Sequence, residues 1–283
     1  MKYVPKEITE EVNVTRTNPL MELGRLLGIV LGLSVGVYVA LGIAADWLVT
    51  RISQELEQQI GQAFIPDEAE KEERDRRLAF VADYLNQIKA QDETLANYPD
   101  LPVQLLETPL PNAAIVPGGT VLGTQGLLDT VETENELAFV LAHELGHFQG
   151  RHALKRLGRS LVVVTIASTL GLGNNSGSAT DLFGLSSNLT ELRYGRGQER
   201  DADEYAMGLM VERYGHGASS LDFFRKVQEI EADIPLGQGL EIFSTHPLTP
   251  KRIEALEAYS EAQGWSLEGE TTPLPDEFSA EQG

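Results

Sequence analysis

The sequence predicts an α+β, mostly helical fold with a small edge sheet, preceded by one transmembrane helix. Three observations support this prediction. Residues 26–45 form a run of twenty residues without a charge, which is the length that a helix needs to cross the hydrocarbon core of a bilayer. Apolar residues recur at helical spacing over most of the remaining chain. Two short strand-like segments, 102–108 and 113–122, are separated by few residues, and the second contains a Pro-Gly-Gly turn.

We assign residues 25–47 to an uncleaved transmembrane anchor. The run starts too far from the N-terminus for a signal peptide, and no A-x-A cleavage site follows it. A buried helix of a soluble protein is the alternative, but a helix that is apolar on all sides indicates lipid. Four basic residues precede the run and only Arg51 lies in the twenty residues after Asp46. The basic bias predicts a single-pass protein with residues 1–24 in the cytoplasm and the following domain in the periplasm or otherwise outside the cytoplasm.

The anchor also carries a repeat of small residues. Gly24, Gly28, Gly32 and Gly36 recur every four residues, so they lie on one face on which another helix can approach closely. We expect weak self-association or contact with a partner helix through this face, and the alternative is the glycine enrichment that is ordinary in membrane helices.

We predict that residues 48–265 form one domain with amphipathic helices at its N-terminus. Residues 266–283 are predicted to form a disordered acidic tail. The apolar run 161–173 is too short to cross a membrane and predicts a buried helix. The chain has 22 basic and 43 acidic residues, for a net charge of −21. We therefore expect no nucleic acid partner, because no basic patch offsets repulsion from phosphate.

The most informative motif is His143-Glu144-Leu145-Gly146-His147. Thr133 and Glu136 have the spacing of a capping box, which predicts that a helix begins there. Two histidines four apart lie on one helical face and can share a metal ion, with Glu144 beside the metal-bound water. The alternative is a helix with two surface histidines, but apolar residues at helical spacing predict that one side is buried.

A tetrahedral zinc site in a hydrolase needs a third protein ligand and a water. The chain has no cysteine, so the ligand must be His, Asp or Glu. The metzincin pattern requires a histidine six residues after His147, where the chain has Ala153, so that class is excluded. His152 lies five residues after His147, and we expect it to point away from the ligand face in a structural or indirect role.

Glu199 and Asp203 are the better candidates, because they lie four apart on a second predicted helix. We predict Glu199 as the ligand and Asp203 as the acceptor of the remaining N–H of a ligand histidine. The alternative is a solvated acidic face that also includes Asp201 and Glu204.

Four ordered segments now point to one family. Their sequences are NAAIVPGG (112–119), HELGHFQGRHA (143–153), GRGQERDADEYA (195–206) and STHPLTPKRIEAL (244–256). Together they resemble the HtpX and CAAX-prenyl-protease family of zinc endopeptidases, which is metallopeptidase family forty-eight, over roughly residues 55 to 260. The chain shows no second span, so it is more similar to the periplasmic relatives with a soluble catalytic domain. The family begins the third segment with Ser-Arg, where this chain has Gly195-Arg196.

This resemblance implies a gluzincin-like zinc metallopeptidase domain that holds one Zn²⁺ per chain. The metal ligands are implied to be His143, His147 and Glu199, and Glu144 to be the general base and acid. His246 is implied to stabilise the oxyanion, although a structural histidine at the end of a loop is the alternative.

The second strand-like segment supplies the candidate residues for binding substrate. Asn112, Ala113 and Ala114 begin a segment that can hold an extended peptide as an added strand, although these strands can instead only pack on the active-site helix. The expected function is a membrane-anchored zinc metalloendopeptidase that cleaves misfolded or membrane-associated proteins. A catalytically latent chaperone or adaptor on the same fold and a specific processing protease remain as alternatives.

Overall fold

The structure is a computed structural model that describes residues 18–66, 70–71, 76–169, 194–233, 246 and 250–278. In chain order its elements are α1 Pro19–Val49, α2 Gln54–Gln62, β1 Glu70–Lys71, α3 Arg76–Lys89, β2 Val103–Leu106, β3 Ala113–Ile115, β4 Val121–Thr124, α4 Gln125–Thr130, α5 Glu134–Gln149, α6 His152–Thr169, α7 Arg196–Tyr214, α8 Asp222–Asp233, α9 Pro250–Gln263 and a 3-10 turn Asp276–Phe278.

The N-terminal helix α1 begins at a well-capped end and is apolar along most of its length. The Asn18 side chain accepts a hydrogen bond from the Leu20 N–H at 3.0 Å, and Pro19 takes the first helical position, where its missing N–H costs nothing. Within the described residues, α1 is the one helix that is long and apolar enough to cross a membrane. The predicted anchor, residues 25–47, lies inside this helix, and the expected N-terminal apolar helix is confirmed.

The sheet is small, as the sequence predicts. Its strand order is β1-β2-β4-β3, with β2 and β4 parallel and the other two pairs antiparallel. Between β3 and β4 the chain turns at Gly118 and Gly119, whose φ angles of 84° and 92° are accessible to glycine at little cost. The second predicted strand is therefore two strands, and β3 forms one edge of the described sheet.

Helix α5 lies at the centre of the domain. Its residues 135–148 are all buried, so the prediction of a single buried side was wrong for this helix. The reason is that α3, β3, α6, α7 and α8 all contact α5. Phe139 of α5 and Phe224 of α8, for example, meet edge to face with ring centroids 5.3 Å apart. The mostly helical α+β class is thereby confirmed.

The apolar part of α6 departs from its prediction. Leu161 and Val163 are 39 % and 48 % exposed, so the expectation of a buried helix over 161–173 is wrong for residues 161–166. These side chains are exposed because α6 packs beside α1 and extends away from the core of the domain. Residues 170–173 lie outside the described part of the chain.

The acidic C-terminal segment also departs from its prediction, because residues 266–278 lie against the domain. The Glu134 N–H donates to the Thr272 carbonyl at 2.9 Å, and Phe278 is buried in the main hydrophobic core. Pairing with the first residue of α5 and burial of an aromatic ring outweigh the acidic composition, so the predicted disorder is wrong for this stretch. Residues 279–283 and 1–17 are outside the described residues, and the other domain boundaries remain predictions.

Candidate metal centre

The two histidines of the motif lie side by side on α5. Thr133 caps this helix by accepting a hydrogen bond from the Glu136 N–H at 3.1 Å, as the sequence predicts. His143 and His147 follow about three and four turns later, and both are almost completely buried. Their Nε2 atoms are 3.0 Å apart, so two imidazole nitrogens face the same point.

Helix α7 brings Glu199 to that point. The Glu199 carboxylate oxygens lie 3.5 Å from His147 Nε2 and 3.7 Å from His143 Nε2. This approach depends on Gly146, because a Cβ atom there would lie 2.9 Å from the Cα atom of Ala202 on α7. Glycine at position 146, between the two histidines, therefore allows α5 and α7 to come into contact.

The cluster has the properties of a site for a metal ion. One nitrogen or oxygen atom each from His143, His147, Glu199 and His246 lies within 4.8 Å of the others. Both carboxylate oxygens of Glu199 are buried and accept no hydrogen bond from any described residue. A buried carboxylate without donors is costly unless it meets a cation. Imidazole and carboxylate donors together suit a divalent transition metal.

Each motif histidine has a partner for its other ring nitrogen. Asp203 Oδ1 lies 3.0 Å from His143 Nδ1, which is the arrangement that fixes a ligand histidine with Nε2 toward the metal. His152 Nδ1 lies 3.0 Å from His147 Nδ1. The expectation that His152 points away was wrong, because the helix ends at Gln149 and the chain folds back through Arg151, whose φ is 49°.

An arginine that sequence reasoning missed contacts both Glu199 and Asp203 of α7. Arg252, on α9, donates two hydrogen bonds to Asp203 at 2.6 and 2.7 Å. Its Nη1 atom is 2.6 Å from Glu199 Oε2, but neither atom is in hydrogen-bonding alignment, so this contact is an ion pair. Burial alone would raise the pKa of Asp203, and the Arg252 guanidinium lowers it below its usual value. The signal in the sequence was an arginine next to the apolar residue Ile253 in a predicted helix.

Tyr194 is a second residue that sequence reasoning missed. Its ring stacks on the His147 ring with centroids 3.9 Å apart, and the Arg156 guanidinium lies 4.0 Å above the tyrosine ring centroid. The three groups form a layer that fixes the plane of the His147 imidazole. Burial raises the pKa of Tyr194 to about 12, so it remains neutral at physiological pH. Tyr194 precedes α7 in a loop, where no periodic pattern marks it.

Glu144 lies between the edge strand and the histidines. Its Oε2 atom accepts a hydrogen bond from the Ile115 N–H of β3 at 2.9 Å. Its Oε1 atom lies 3.5 Å from His246 Nε2. One oxygen of this carboxylate is thus held by the strand, while the other faces the histidine cluster.

His246 lies in the same cluster. Its Nδ1 atom is 3.2 Å from Glu199 Oε1 and 3.3 Å from His143 Nε2. The structure therefore brings together all five residues for which sequence reasoning expected a metal-binding or catalytic role, together with Asp203.

The three residues expected to bind substrate lie at the same edge. Asn112 and Ala113 line a small cleft that also includes Glu144 and Phe223. The Asn112 backbone N–H and C=O are both bonded to Thr124, and Ala114 pairs with Leu122 inside the sheet. Because backbone direction alternates along a strand, Ala113 and Ile115 present their backbone groups to the site.

Comparison with known proteins agrees with this geometry. The sequence profile of Peptidase family M48 matches residues 81–260, well over half of the chain. The chain therefore belongs to peptidase family M48, and the resemblance drawn from four sequence segments is confirmed.

Three relatives show how far the similarity extends. Mitochondrial metalloendopeptidase OMA1 of Schizosaccharomyces pombe is 29 % identical over 161 residues, which is 56 % of this chain and 46 % of that protein. Metalloprotease LoiP of Escherichia coli is 29 % identical over 157 residues, or 54 % of this chain and 60 % of that protein. A Protease HtpX homolog of Pyrococcus abyssi is 30 % identical over 201 residues, or 57 % and 68 %. The chain thus spans about half the length of the first two relatives.

The contact between Asp203 and His143 generates a testable prediction. Asp203→Asn should weaken metal binding by about 10- to 100-fold, the usual effect of removing a partner that orients a ligand histidine. Asp201→Asn, two residues earlier on α7 and largely exposed, should leave metal affinity unchanged. Competition with a chelator measures both affinities, and circular dichroism checks that each variant is folded. Equal affinities for the two variants would contradict this role of Asp203.

Proposed function

We propose that this chain is a membrane-anchored zinc metalloendopeptidase that hydrolyses peptide bonds with a metal-activated water. The observation that carries the proposal is the convergence of His143 Nε2, His147 Nε2 and the Glu199 carboxylate beside Glu144. Membership of a peptidase family and relatives named as metalloendopeptidase and metalloprotease support it.

Zinc is the metal that we propose. A site with two imidazoles and one carboxylate is the donor set of catalytic zinc, which keeps a further position for water. His143, His147 and Glu199 would hold the ion. The chain has no cysteine, so these nitrogen and oxygen donors also fit its composition. The buried Glu199 carboxylate accepts no hydrogen bond from a described residue, and its ion pair with Arg252 involves Oε2, so its Oε1 atom supports a bound cation at this position.

The residues around the metal would have distinct roles in the reaction. Bound zinc would lower the pKa of its water and polarise the scissile carbonyl. Glu144 would take the water's proton and later deliver it to the leaving amine. The Ile115 N–H holds one oxygen of this carboxylate, which fixes its direction. Asp203 would hold His143 with Nδ1–H toward the carboxylate, and the Tyr194 stack would keep His147 in plane.

His246 is proposed as the donor that stabilises the oxyanion of the tetrahedral intermediate. Its position within reach of Glu144, Glu199 and His143 supports a direct role in the site. The same position also suits a fourth metal ligand, and the two roles have opposite effects on catalysis. As a ligand, His246 would occupy the place of the reactive water and restrain activity.

The substrate is proposed to be an extended segment of a protein, bound along β3. Ala113 would offer its backbone N–H and C=O at this edge, and Ile115 would offer its C=O, because the Ile115 N–H is bonded to Glu144. Peptide recognition by strand addition uses such groups. Asn112 would contribute its side chain from the cleft, and Ala114 would support the strand through its pairing with Leu122. Misfolded or membrane-associated proteins are the proposed substrate class, by analogy with the family.

The assignment of Glu144 as the base is tested by casein cleavage with the full chain in detergent. Glu144→Gln should lower the rate by about 10²- to 10⁴-fold, the usual contribution of a positioned general base, and should keep its metal. Glu254→Gln, at an exposed position on α9, is the matched control and should be fully active.

Two further variants and metal analysis complete this test. Glu199→Ala should lose bound zinc, and His246→Ala should keep zinc but cleave more slowly. Undiminished proteolysis by zinc-loaded Glu144→Gln would refute the base assignment. Faster cleavage by His246→Ala would identify His246 as a restraining ligand. A wild-type protein that holds zinc but cleaves nothing would favour a latent chaperone or adaptor.

We further propose that α1 is a single-pass anchor with a cytoplasmic N-terminus and an extracytoplasmic domain. The excess of Lys and Arg before the span supports this orientation. Alkaline phosphatase fused after Gly283 should be active in a bacterial host, because this reporter works only outside the cytoplasm. The same reporter fused after Arg25, before the span, should be inactive. The opposite pair of results would reverse the orientation.

Self-association through the glycine face of α1 is also proposed. A Cβ atom added at Gly24, Gly28, Gly32 or Gly36 meets no atom within 4 Å, which leaves this face open to a second helix. Leucine at both Gly28 and Gly32 should weaken crosslinking between copies in membranes. Val30→Leu, on another face of the helix, is the matched control. Unchanged crosslinking in the double variant would exclude this face as the contact.

A further inference from the structure

Helix α6 runs antiparallel to α1. Arg151, just before α6, donates hydrogen bonds to the carbonyls of Val49 and Ile52 at 2.8 and 3.0 Å. Two turns later, a Cβ atom on Gly158 would lie 3.4 Å from the Ala45 Cβ atom. As α6 advances, its contacts therefore move backward along α1, so α6 continues toward the middle of the anchor helix.

The facing stripe on α1 agrees with this direction. Gly42, Ala45, Asp46 and Val49 are less exposed than their neighbours, and their spacing defines one helical face. Asp46 and Arg159 form an ion pair, with Arg159 Nε 3.0 Å from Asp46 Oδ1. Asp46 is the first charged residue after the uncharged run 26–45, so this pair marks the edge of the apolar region.

Beyond that pair, α6 carries apolar side chains that the described residues leave partly exposed. Residues 161–164 are Leu-Val-Val-Val, and Leu161 and Val163 are 39 % and 48 % exposed. The two hydroxyl groups nearby are internally bonded, because Ser160 and Thr165 donate to the carbonyls of Arg156 and Leu161 at 3.0 and 2.7 Å. Internal bonding of this kind is what a helix needs in hydrocarbon.

The length of α6 fixes how deep it reaches. From Arg159, at the edge of the apolar region, to Thr169 the helix rises about 15 Å at 1.5 Å per residue, roughly half of a hydrocarbon core of about 30 Å. Trp47 lies at the same end of α1, with the Arg51 guanidinium 4.0 Å from its ring centroid. Tryptophan and arginine are typical of the membrane–water interface, which agrees with the level set by Asp46 and Arg159.

We propose that α6, from Leu161 onward, is embedded in the same bilayer leaflet as the C-terminal half of α1 and is covered by lipid acyl chains. The proposal requires α1 to be in the membrane but is independent of the protease chemistry. Lipid is the occupant because the exposed face continues the apolar surface of α1 at the same depth. Arg151 joins α5 to the end of α1, so the motif helix is held beside the bilayer surface. Protein segments close to the membrane would therefore be the ones that reach the site.

The absence of cysteine from the chain makes a clean labelling experiment available. Single cysteines are placed in the full chain by Val163→Cys on α6, Val35→Cys within α1 and Glu261→Cys on the exposed face of α9. Each variant is reconstituted into phosphatidylethanolamine and phosphatidylglycerol vesicles and labelled with the environment-sensitive NBD fluorophore. Phosphatidylcholine with a nitroxide on its acyl chain then serves as the quencher.

The fluorophore at V163C should be quenched as strongly as that at V35C, and that at E261C should be quenched little. In vesicles, a membrane-impermeant maleimide should react with V163C about tenfold more slowly than with E261C, because the reactive thiolate does not form in hydrocarbon. Leu161→Cys provides a second position on α6, and circular dichroism checks that each variant is folded.

Three results would overturn the proposal. Labelling of V163C and L161C as fast as that of E261C would place α6 in water. Slow labelling without quenching by the lipid nitroxide would show that protein covers this face, either elsewhere in the chain or in a second copy. Absence of quenching at V35C would remove α1 from the bilayer and the proposal with it, while leaving the casein assay of the protease unaffected.

Discussion

The close contact of α5 with α7 is the constraint on which the rest of the structure depends. Gly146 has no side chain, so the backbone of α7 passes directly over the motif helix at Ala202. One turn before this contact lies Glu199, and one residue after it lies Asp203. A bulkier residue at position 146 would separate the helices and withdraw both carboxylates from the histidines. The motif therefore supplies two ligands, and its glycine leaves the space that lets α7 place the third ligand, Glu199, beside them.

Charge explains why this contact implies a metal ion. Among the described residues, the carboxylates of Glu144, Glu199 and Asp203 are buried around the two motif histidines, and Arg252 is the one guanidinium that pairs with them. His246 and Arg252 lower the pKa of Glu199 despite its burial, so this carboxylate is charged at neutral pH. Buried charges that lack partners are strongly destabilising. A divalent cation at the centre would balance the excess negative charge.

Much of the site could be predicted from the sequence because helical periodicity and capping are local. The Thr133 cap places the start of α5, and spacing of four residues puts Glu199 and Asp203 on one face of α7. Periodicity does not show which helices meet, so the ion pairs that Arg252 makes from α9 were not predicted. The direction of the His152 side chain was wrongly predicted because a tight turn after Gln149 reverses the chain. Helical periodicity does not continue through such a turn.

The exposed part of α6 and the packed segment 266–278 were misjudged for a related reason. Composition gives the number of apolar or acidic residues in a segment, but it does not show which part of the protein the segment packs against. The apolar run after Arg159 packs beside another apolar helix, while the acidic segment anchors itself through Phe278 and backbone hydrogen bonds to the start of α5.

The central claim is that one zinc ion is held by His143, His147 and Glu199. X-ray absorption at the zinc edge tests it most directly, on full-length protein loaded with one equivalent of zinc. The spectrum should show imidazole nitrogens at about 2.0–2.1 Å and carboxylate or water oxygens at about 2.0–2.2 Å. In Glu199→Ala this signature should be lost or replaced by that of hydrated zinc. An unchanged spectrum in that variant, or zinc bound without imidazole, would contradict the claim.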